Sequence, residues 1–420
     1  MLLMASLYGQ LVSAQGSAII RTSTPSVSAS EPLTLQQALA RAKQRRPQAE
    51  LAAAGVARAK GTAGLVSLIP NPVAFVQRDE RTPTHQSSFT QPLAWLIRRS
   101  ADVGAGHAIV DRATADSMQL MADVGRDVQR AFFGALAADE RLRLGTEQAH
   151  LADSLVLFAD RRVSAGDISA LERDQIAQEA ARARLSAAQA REAARVARVV
   201  FARAVAWNTG DNSPQATGSL TDALDALGAD SVSVESTPLP SLPAMNAILA
   251  DSAGAAARLR GARLAQIPVP AVVIGLEWGA VGVPTTSARD SRSTSIVGLS
   301  MPLPFWNQGR EAVAEAGGIS REASARVGEA RLTLTAQLTI ARIRVAETAS
   351  RATFTRDSLF TEATRIRIGA IRLYESGRTG LLPVIDALRV ERDAAQTVVQ
   401  ELLAFQDARA DLTALLGRWP

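Results

Sequence analysis

Apolar residues recur at helical spacing along much of this chain, most clearly near its C-terminal end. Leu381, Leu388, Ala395 and Leu402 follow one another at seven-residue intervals, the spacing of packed amphipathic helices. Alanine dominates the intervening positions, and small side chains allow helices to approach closely. This pattern predicts long helices packed side by side.

Proline placement sets the limits of these helices. No proline occurs at residues 93–213 or at residues 305–382, and proline disrupts helix interiors. A helix of about sixty residues would extend roughly 90 Å. The predicted shape is therefore extended and tubular rather than that of a compact globule.

Where prolines cluster, apolar residues alternate with a period of two. Val272, Ile274, Leu276 and Trp278, for example, fall on one side of a run of about ten residues, the length and period of a tilted membrane strand. The predicted strands are residues 70–80, 86–96, 268–282 and 291–303. A small soluble sheet would show the same alternation, so the pattern alone leaves both interpretations open.

The chain repeats one plan twice. Residues 69–72 (IPNP) precede the first predicted strand and residues 267–270 (IPVP) precede the third. Residues 166–171 (GDISAL) match residues 377–382 (GRTGLL) at an offset of 211. Each copy comprises a short helix, two strands and a long helical hairpin. The predicted first repeat is 33–207, the linker 208–243 and the second repeat 244–420.

The N-terminal residues precede this plan. Residues 1–14 are predicted to be a signal peptide, because a mostly apolar stretch ends in the small-residue sequence VSA. A basic start is missing, which leaves a disordered tail as the alternative. Residues 15–32 are rich in Ser, Thr and Pro and are predicted to be a flexible leader.

Composition and charge exclude several classes of partner and cofactor. The 420 residues include 46 basic and 41 acidic side chains, which are interspersed, and only 4% aromatic residues. A protein groove that binds nucleic acid requires clustered basic side chains together with aromatic side chains on which the nucleobases stack. Neither feature is present, so no nucleic-acid partner is expected. The absence of cysteine excludes disulfides, thiol nucleophiles and cysteine-zinc sites.

Catalytic and cofactor motifs are also missing from the sequence. His85, His107 and His150 lack metal-ligand spacing, and residues 104–106 (GAG) lack the third glycine of a dinucleotide fingerprint. No G-x-S-x-G nucleophile elbow occurs. We therefore expect no catalytic, cofactor-binding or metal-binding residue, and no enzymatic activity.

After residue 32, the order of motifs resembles the TolC-type outer membrane efflux proteins. Residues 33–39 (LTLQQAL) resemble the opening helix of that family. Residues 302–310 (PLPFWNQGR) resemble its strand-to-helix passage, especially in the metal-efflux branch, and residues 374–377 (YESG) resemble a hairpin tip. The resemblance implies a mainly α fold with a small transmembrane β part. Three copies would form a 12-stranded β-barrel continued by a long α-helical periplasmic tunnel.

The resemblance also implies a function and partners. The homotrimer would lie in outer membrane lipid and passively conduct substrates from an inner-membrane pump, of RND type, and a periplasmic adaptor to the outside. One alternative is the outer membrane duct of an ABC-driven type I secretion system. Another, from a different class, is a soluble coiled-coil scaffold with a small β-domain.

The same resemblance implies two groups of site residues, and the ends of the predicted strands indicate a third group. The adaptor-docking helical tips would be Val163, Gly166, Tyr374 and Gly377. The periplasmic entrance would carry Glu172 and Asp386, although Pro383 stands where the family often has a second aspartate. The membrane-interface aromatics would be Trp95, Trp278, Phe305 and Trp306. Each group also has a purely structural explanation. The tip glycines would serve only the turn geometry, the carboxylates would be solvated helix charges, and the aromatic residues would contribute ordinary packing.

Overall fold

A computed structural model gives the fold of most of the chain. It describes residues 31–79, 84–208, 213–222, 224, 238–280, 291–380 and 382–420. The predicted signal peptide and residues 15–30 of the predicted leader lie outside these ranges.

Helices make up most of the described chain. They are α1 (Leu35–Arg45), α2 (Pro47–Val66), α3 (Trp95–Ser164), α4 (Ala170–Ala204), α5 (Pro243–Leu264), α6 (Arg310–Phe354), α7 (Thr361–Glu375) and α8 (Leu382–Leu415). A π-helical turn, Thr355–Phe360, joins α6 to α7. No helix within the described ranges has both the length and the apolar character that a membrane crossing needs.

The proline-free regions are helical, as the sequence predicted. Helix α3 alone has 70 residues and is therefore about 105 Å long. Small residues let its first half approach α2 and α5 closely. A Cβ added at Gly106 would lie 3.2 Å from the Ala63 carbonyl oxygen, and one at Gly254 would lie 3.1 Å from the Ala108 Cβ.

The largest core lies near the middle of α3, where the C-terminal end of α4 and the C-terminal half of α8 pack against it. The Phe132 ring meets those of Phe133 and Phe201 edge to face, at centroid distances of 5.4 and 5.7 Å. Phe405, from α8, is fully buried in the same cluster. The core therefore holds the two copies of the repeated plan together.

Two short strands close this core. Strand β1 (Glu31–Leu33) pairs in parallel with β4 (Pro214–Ala216). Glu31 and Pro32 were predicted to lie in the flexible leader, and β4 in the linker. The structure differs because Leu33 and Ala216 are buried in the core, which anchors both segments.

Four further strands form one antiparallel sheet. They are β2 (Val73–Asp79), β3 (Thr84–Pro92), β5 (Ala271–Ala280) and β6 (Ser291–Ser300), in the order β2-β3-β5-β6. The β3–β5 pairing joins the hairpin of one repeat to that of the other. Strands β2 and β6 lie at the edges, and each has a neighbour on one side only.

The observed strands are shorter than the predicted ones. Strands β2 and β5 begin at Val73 and Ala271 because prolines interrupt residues 70–72 and 268–270, and proline lacks the N–H that a ladder needs. Strand β3 ends at Pro92 rather than at residue 96. Residues 80, 281 and 282, which the predictions included, lie outside the described ranges.

The register separates the two faces of the sheet. Ala74 pairs with Phe89, Phe89 with Ile274 and Ile274 with Val297, so these residues share one face. This apolar face carries Ala74, Val76, Phe89, Val272, Ile274, Leu276, Trp278, Val297 and Leu299, together with the polar or charged residues Arg78, His85, Ser87, Gln91, Ser293 and Ser295. The opposite face is mixed: it carries Gln77, Gln86, Ser88, Thr90, Glu277 and Thr294 together with Val73, Phe75, Val273 and Ile296.

Candidate functional site at the hairpin tips and the sheet ends

The two helical hairpins reverse direction through the same backbone geometry. Gly166 and Gly377 have φ values of +81° and +70°. Their N–H groups donate to the carbonyl oxygens of Val163 and Tyr374, at 3.0 Å in both tips. The next amide returns to a carbonyl five residues earlier, at 2.9 Å in each case. These bonds form the Schellman motif that ends a helix.

Glycine is needed at both turns for its conformation rather than for its size. A Cβ added at Gly166 or Gly377 would meet no atom within 4 Å. The left-handed conformation, however, costs an L-residue roughly 1–2 kcal/mol. A side chain at either position would therefore distort the turn or weaken it.

Two leucines that the sequence analysis did not select are exposed beside these turns. Leu171 is 69% exposed and Leu382 is 67% exposed. Each lies five residues after its glycine, at the last position of the matched motifs 166–171 and 377–382. The duplication was thus the signal that could have identified them. Two large apolar side chains at equivalent exposed positions are suited to contact with another protein.

Tyr374, in contrast, does not present its side chain at the tip. The ring is 1% exposed, meets the Phe158 ring edge to face at 5.8 Å and lies 5.1 Å beneath the Arg162 guanidinium. Phe158 and Arg162 of the other hairpin cover this side chain, so a docking role of the predicted tip would fall to its other groups. Its apolar contacts join the two tips.

Glu172, one of the two predicted entrance carboxylates, caps a helix. Its Oε2 accepts the Ser169 N–H at 3.0 Å, and the Ser169 Oγ accepts the Glu172 N–H at 3.2 Å. This is a capping box at the start of α4. The carboxylate is thus engaged locally in this conformation.

Asp386, the other predicted entrance carboxylate, is exposed but lies beside arginine. Its Oδ1 is 3.9 Å from Nη1 of Arg389, one turn along α8. Arg389 in turn binds Glu179 of α4, with Nη2 donating to Oε2 at 3.0 Å. Asp386 therefore belongs to a mixed cluster of charges and is not an isolated carboxylate.

Glu179 is the centre of this cluster, and the sequence analysis missed it. Its side chain is 9% exposed, and Arg392 and Arg182 approach its oxygens to 3.3 and 3.6 Å. Burial raises the pKa of Glu179, but the hydrogen bond and charge of Arg389 and the charges of Arg392 and Arg182 outweigh burial and hold the pKa below its ordinary value. One feature of the sequence could have identified Glu179. It is a lone carboxylate three residues after Ile176, on a helix face whose other buried residues are apolar.

The predicted interface aromatics fall at both ends of the sheet. Trp306 and Phe305 are 94% and 70% exposed and follow the end of β6. Trp278 lies near the opposite end, stacked on His85 at 5.8 Å. Trp95 differs from the prediction, because it begins α3 rather than ending a strand. Aromatic residues at two levels are typical of membrane interfaces.

The described residues contain no cluster of three His, Asp or Glu side chains placed to hold a metal ion.

Comparisons with known proteins agree with this architecture. Residues 239–418 match the family described as outer membrane efflux protein. The cobalt-zinc-cadmium resistance protein CzcC of Cupriavidus metallidurans is 28% identical over 402 residues, which cover 93% of this chain and 91% of that protein.

Solved structures share the fold over almost the whole chain. The outer membrane protein VceC of Vibrio cholerae has a TM-score of 0.73 at 16% identity, covering 92% of this chain and 97% of VceC. The channel protein CusC has a TM-score of 0.76 at 15% identity, covering 91% and 92%. The predicted resemblance is thus confirmed: residues 239–418 match the outer membrane efflux protein family, and the chain is similar to CzcC in sequence and to VceC and CusC in fold.

Proposed function

We propose that three copies of this efflux protein form a closed, twelve-stranded barrel in the outer membrane. The observation that carries this proposal is the four-stranded sheet with β2 and β6 at its open edges. In lipid, each unpaired backbone N–H or C=O costs several kcal/mol, so open edges are not stable there. Pairing of β6 with β2 of the next copy removes both edges.

The faces of the sheet support the same assembly. Val76, Ile274, Val297 and Leu299 of the apolar face are all more than half exposed in the single chain. Lipid would cover that face, whereas the face with Gln77, Gln86 and Glu277 would line a water-filled lumen. Trp278 and Trp306 would then lie at the two membrane interfaces.

The helices would continue the barrel as a periplasmic tunnel. Exposed apolar residues follow helical spacing on α4, where Val196, Val199 and Val200 are each more than half exposed. A stripe of this kind is typical of a helix that packs on a partner. Neighbouring copies would cover it and curve the helical wall into a tube.

Transport through this tunnel would be passive, without enzymatic activity. The tips at Gly166 and Gly377 would dock a periplasmic adaptor, with Leu171 and Leu382 as apolar contacts. The adaptor would connect the channel to an inner-membrane pump of RND type. The resistance named for CzcC favours divalent metal cations as the cargo.

Two measurements on the purified protein test the assembly. Native mass spectrometry in detergent should give the mass of three subunits, and the trimer should conduct ions across a planar bilayer. The protein should also remain with outer membranes after a carbonate wash. A stable monomer that is extracted by carbonate would contradict the assembly and favour a soluble scaffold.

Growth tests address the cargo. A strain without this protein should become sensitive to cobalt, zinc or cadmium and regain resistance when the gene is restored. Unchanged metal tolerance together with an intact, conducting trimer would reject the metal cargo but leave the channel assembly standing.

A further inference from the structure

An open cavity lies where the sheet meets the helices. Its volume is about 450 Å³, and its lining includes Arg98 of α3, Leu264 of α5, and Leu303 and Trp306 of the passage into α6. Val269, two residues before β5, and Pro302, two residues after β6, also line it. The cavity is thus at the base of the sheet, next to the ends of β5 and β6.

Arg98 is the charged group of this cavity, and it lacks a close partner among the described residues. Its nearest carboxylate is Asp102, at 4.0 Å from Nη2, the outer limit of an ion pair. Its Nε is buried and has no hydrogen-bond acceptor in the described chain. A guanidinium in this state can still bind an anion through two parallel N–H groups.

The rim of the cavity is apolar and strongly exposed. Trp306 is 94% exposed and its ring meets that of Phe305 at 6.0 Å. Leu303 and Ile267 are 58% and 54% exposed. Exposed aromatic and aliphatic residues beside a cation whose ion pair with Asp102 is as long as 4.0 Å match a ligand with one anionic end and one apolar end.

Basic residues also outnumber acidic ones at the helix ends around the cavity. The basic residues are Arg98, Arg99, Arg263 and Arg310, and the acidic ones are Asp102 and Glu311. Basic pockets beside membrane-spanning segments bind anionic lipid headgroups.

We propose that this cavity binds an anionic phospholipid of the leaflet that faces the helical tunnel. Its phosphate would bind Arg98, Trp306 would lie at headgroup level, and its acyl chains would cover Leu303 and the neighbouring apolar face of the sheet. The proposal rests on the proposed function, since a lipid reaches the cavity only where the sheet spans the membrane. Continuity of the cavity with the apolar face favours a lipid over a free anion.

Native mass spectrometry of the full trimer tests the site directly. The trimer is incubated with phosphatidylglycerol or phosphatidylcholine in detergent, and retained lipid is counted per subunit. About one phosphatidylglycerol per subunit should be retained, and Arg98→Gln should weaken its binding roughly tenfold. Arg98→Lys should lose less, because it keeps the charge. Arg331→Gln, at an exposed arginine of α6, is the matched control and should not change retention.

Each remaining arm of the experiment has a decisive result. Trp306→Ala should weaken binding of both lipids, and excess inorganic phosphate should not displace phosphatidylglycerol. Equal retention by wild type and Arg98→Gln, or displacement by phosphate alone, would overturn the lipid site. Trimer mass and conductance, measured on the same samples, show whether the channel assembly fails independently of the lipid site.

Discussion

Glu179 of α4 and Arg389 of α8 are 210 residues apart in the chain, and their side chains meet at 3.0 Å. The tip glycines, Gly166 and Gly377, differ by 211 positions. The ion pair therefore joins nearly equivalent positions of the two repeats. Such positions can touch only close to the axis that relates the copies, so this contact marks the seam between the two hairpins.

Glu179→Gln should destabilise this seam. Removal of the carboxylate leaves Arg389, Arg392 and Arg182 to repel one another around a buried position, which should cost about 1–3 kcal/mol at neutral pH. Thermal unfolding followed by circular dichroism measures the loss. Glu362→Gln is the control, because Glu362 forms an exposed pair with Arg365, and exposed pairs contribute little.

The same comparison has a defined pH dependence. The folded pKa of Glu179 lies below its ordinary value, so the stabilisation by its carboxylate is complete at a pH well above that ordinary value. It is lost as the pH falls from there through the folded pKa, when the carboxylate becomes protonated. The difference in melting temperature between wild type and Glu179→Gln should therefore be constant near neutrality and shrink in acid. A difference that does not change with pH would contradict the ionic role of Glu179.

Gly377→Val should impair adaptor binding without removing the protein from the outer membrane. A β-branched residue at a φ of +70° strains the backbone and distorts the tip. Adaptor pull-down and drug or metal export are the measurements. Gly369→Val is the control: Gly369 lies within α7, where an added Cβ meets nothing within 4 Å, and it should bind the adaptor normally. Normal binding and export by Gly377→Val would exclude a docking role for this turn.

Leu171→Ser and Leu382→Ser should weaken adaptor binding while leaving the trimer stable. Both side chains are about two-thirds exposed, so their removal costs little folding free energy. In a docked complex, each would bury apolar surface that is worth about 1.5–3 kcal/mol. Surface plasmon resonance with the adaptor should show the loss. Leu332→Ser, on α6, is 72% exposed in wild type but far from the tips, and should leave the affinity unchanged.

The order of helices and strands along the chain could be predicted from the sequence, whereas the contacts of single side chains could not. Proline-free regions became α3, α4, α6 and α7 because helix continuity depends on local backbone chemistry. The burial of Tyr374 could not be predicted because it depends on Phe158, more than two hundred residues away. Glu179 was missed for the same reason, since Arg389 and Arg392 reach it only when the two hairpins pack.

Gly275→Ala should disrupt the sheet, whereas Gly298→Ala should be tolerated. A Cβ at Gly275 would lie 2.7 Å from the Ser87 carbonyl oxygen and 2.9 Å from the Ser88 Cβ, so the β3–β5 pairing that joins the two repeats would have to open. A Cβ at Gly298, on the same face, meets nothing within 4 Å. The yield of trimer on a native gel compares the two variants. Equal yields would show that the sheet can relax around the added methyl group.

Cation selectivity should be weak in this channel. Asp386 and Glu179 share their cluster with Arg182, Arg389 and Arg392, so the carboxylates are largely balanced by neighbouring positive charge. The field of an exposed carboxylate such as Asp386 is further screened by salt within about 8–10 Å. We therefore expect the trimer in a planar bilayer to show a modest cation preference that falls in Asp386→Asn.

Tight metal binding should likewise be absent from the purified protein, even if its cargo is a metal cation. The chain has no cysteine, and no described cluster of histidine and carboxylate side chains converges on one position. Soft thiolate or imidazole ligands are needed to select zinc, copper or cobalt from water. Isothermal titration calorimetry with each of these ions should show no stoichiometric binding at micromolar concentration. A submicromolar site would place metal recognition in the channel itself, whereas its absence assigns that recognition to the adaptor and the pump.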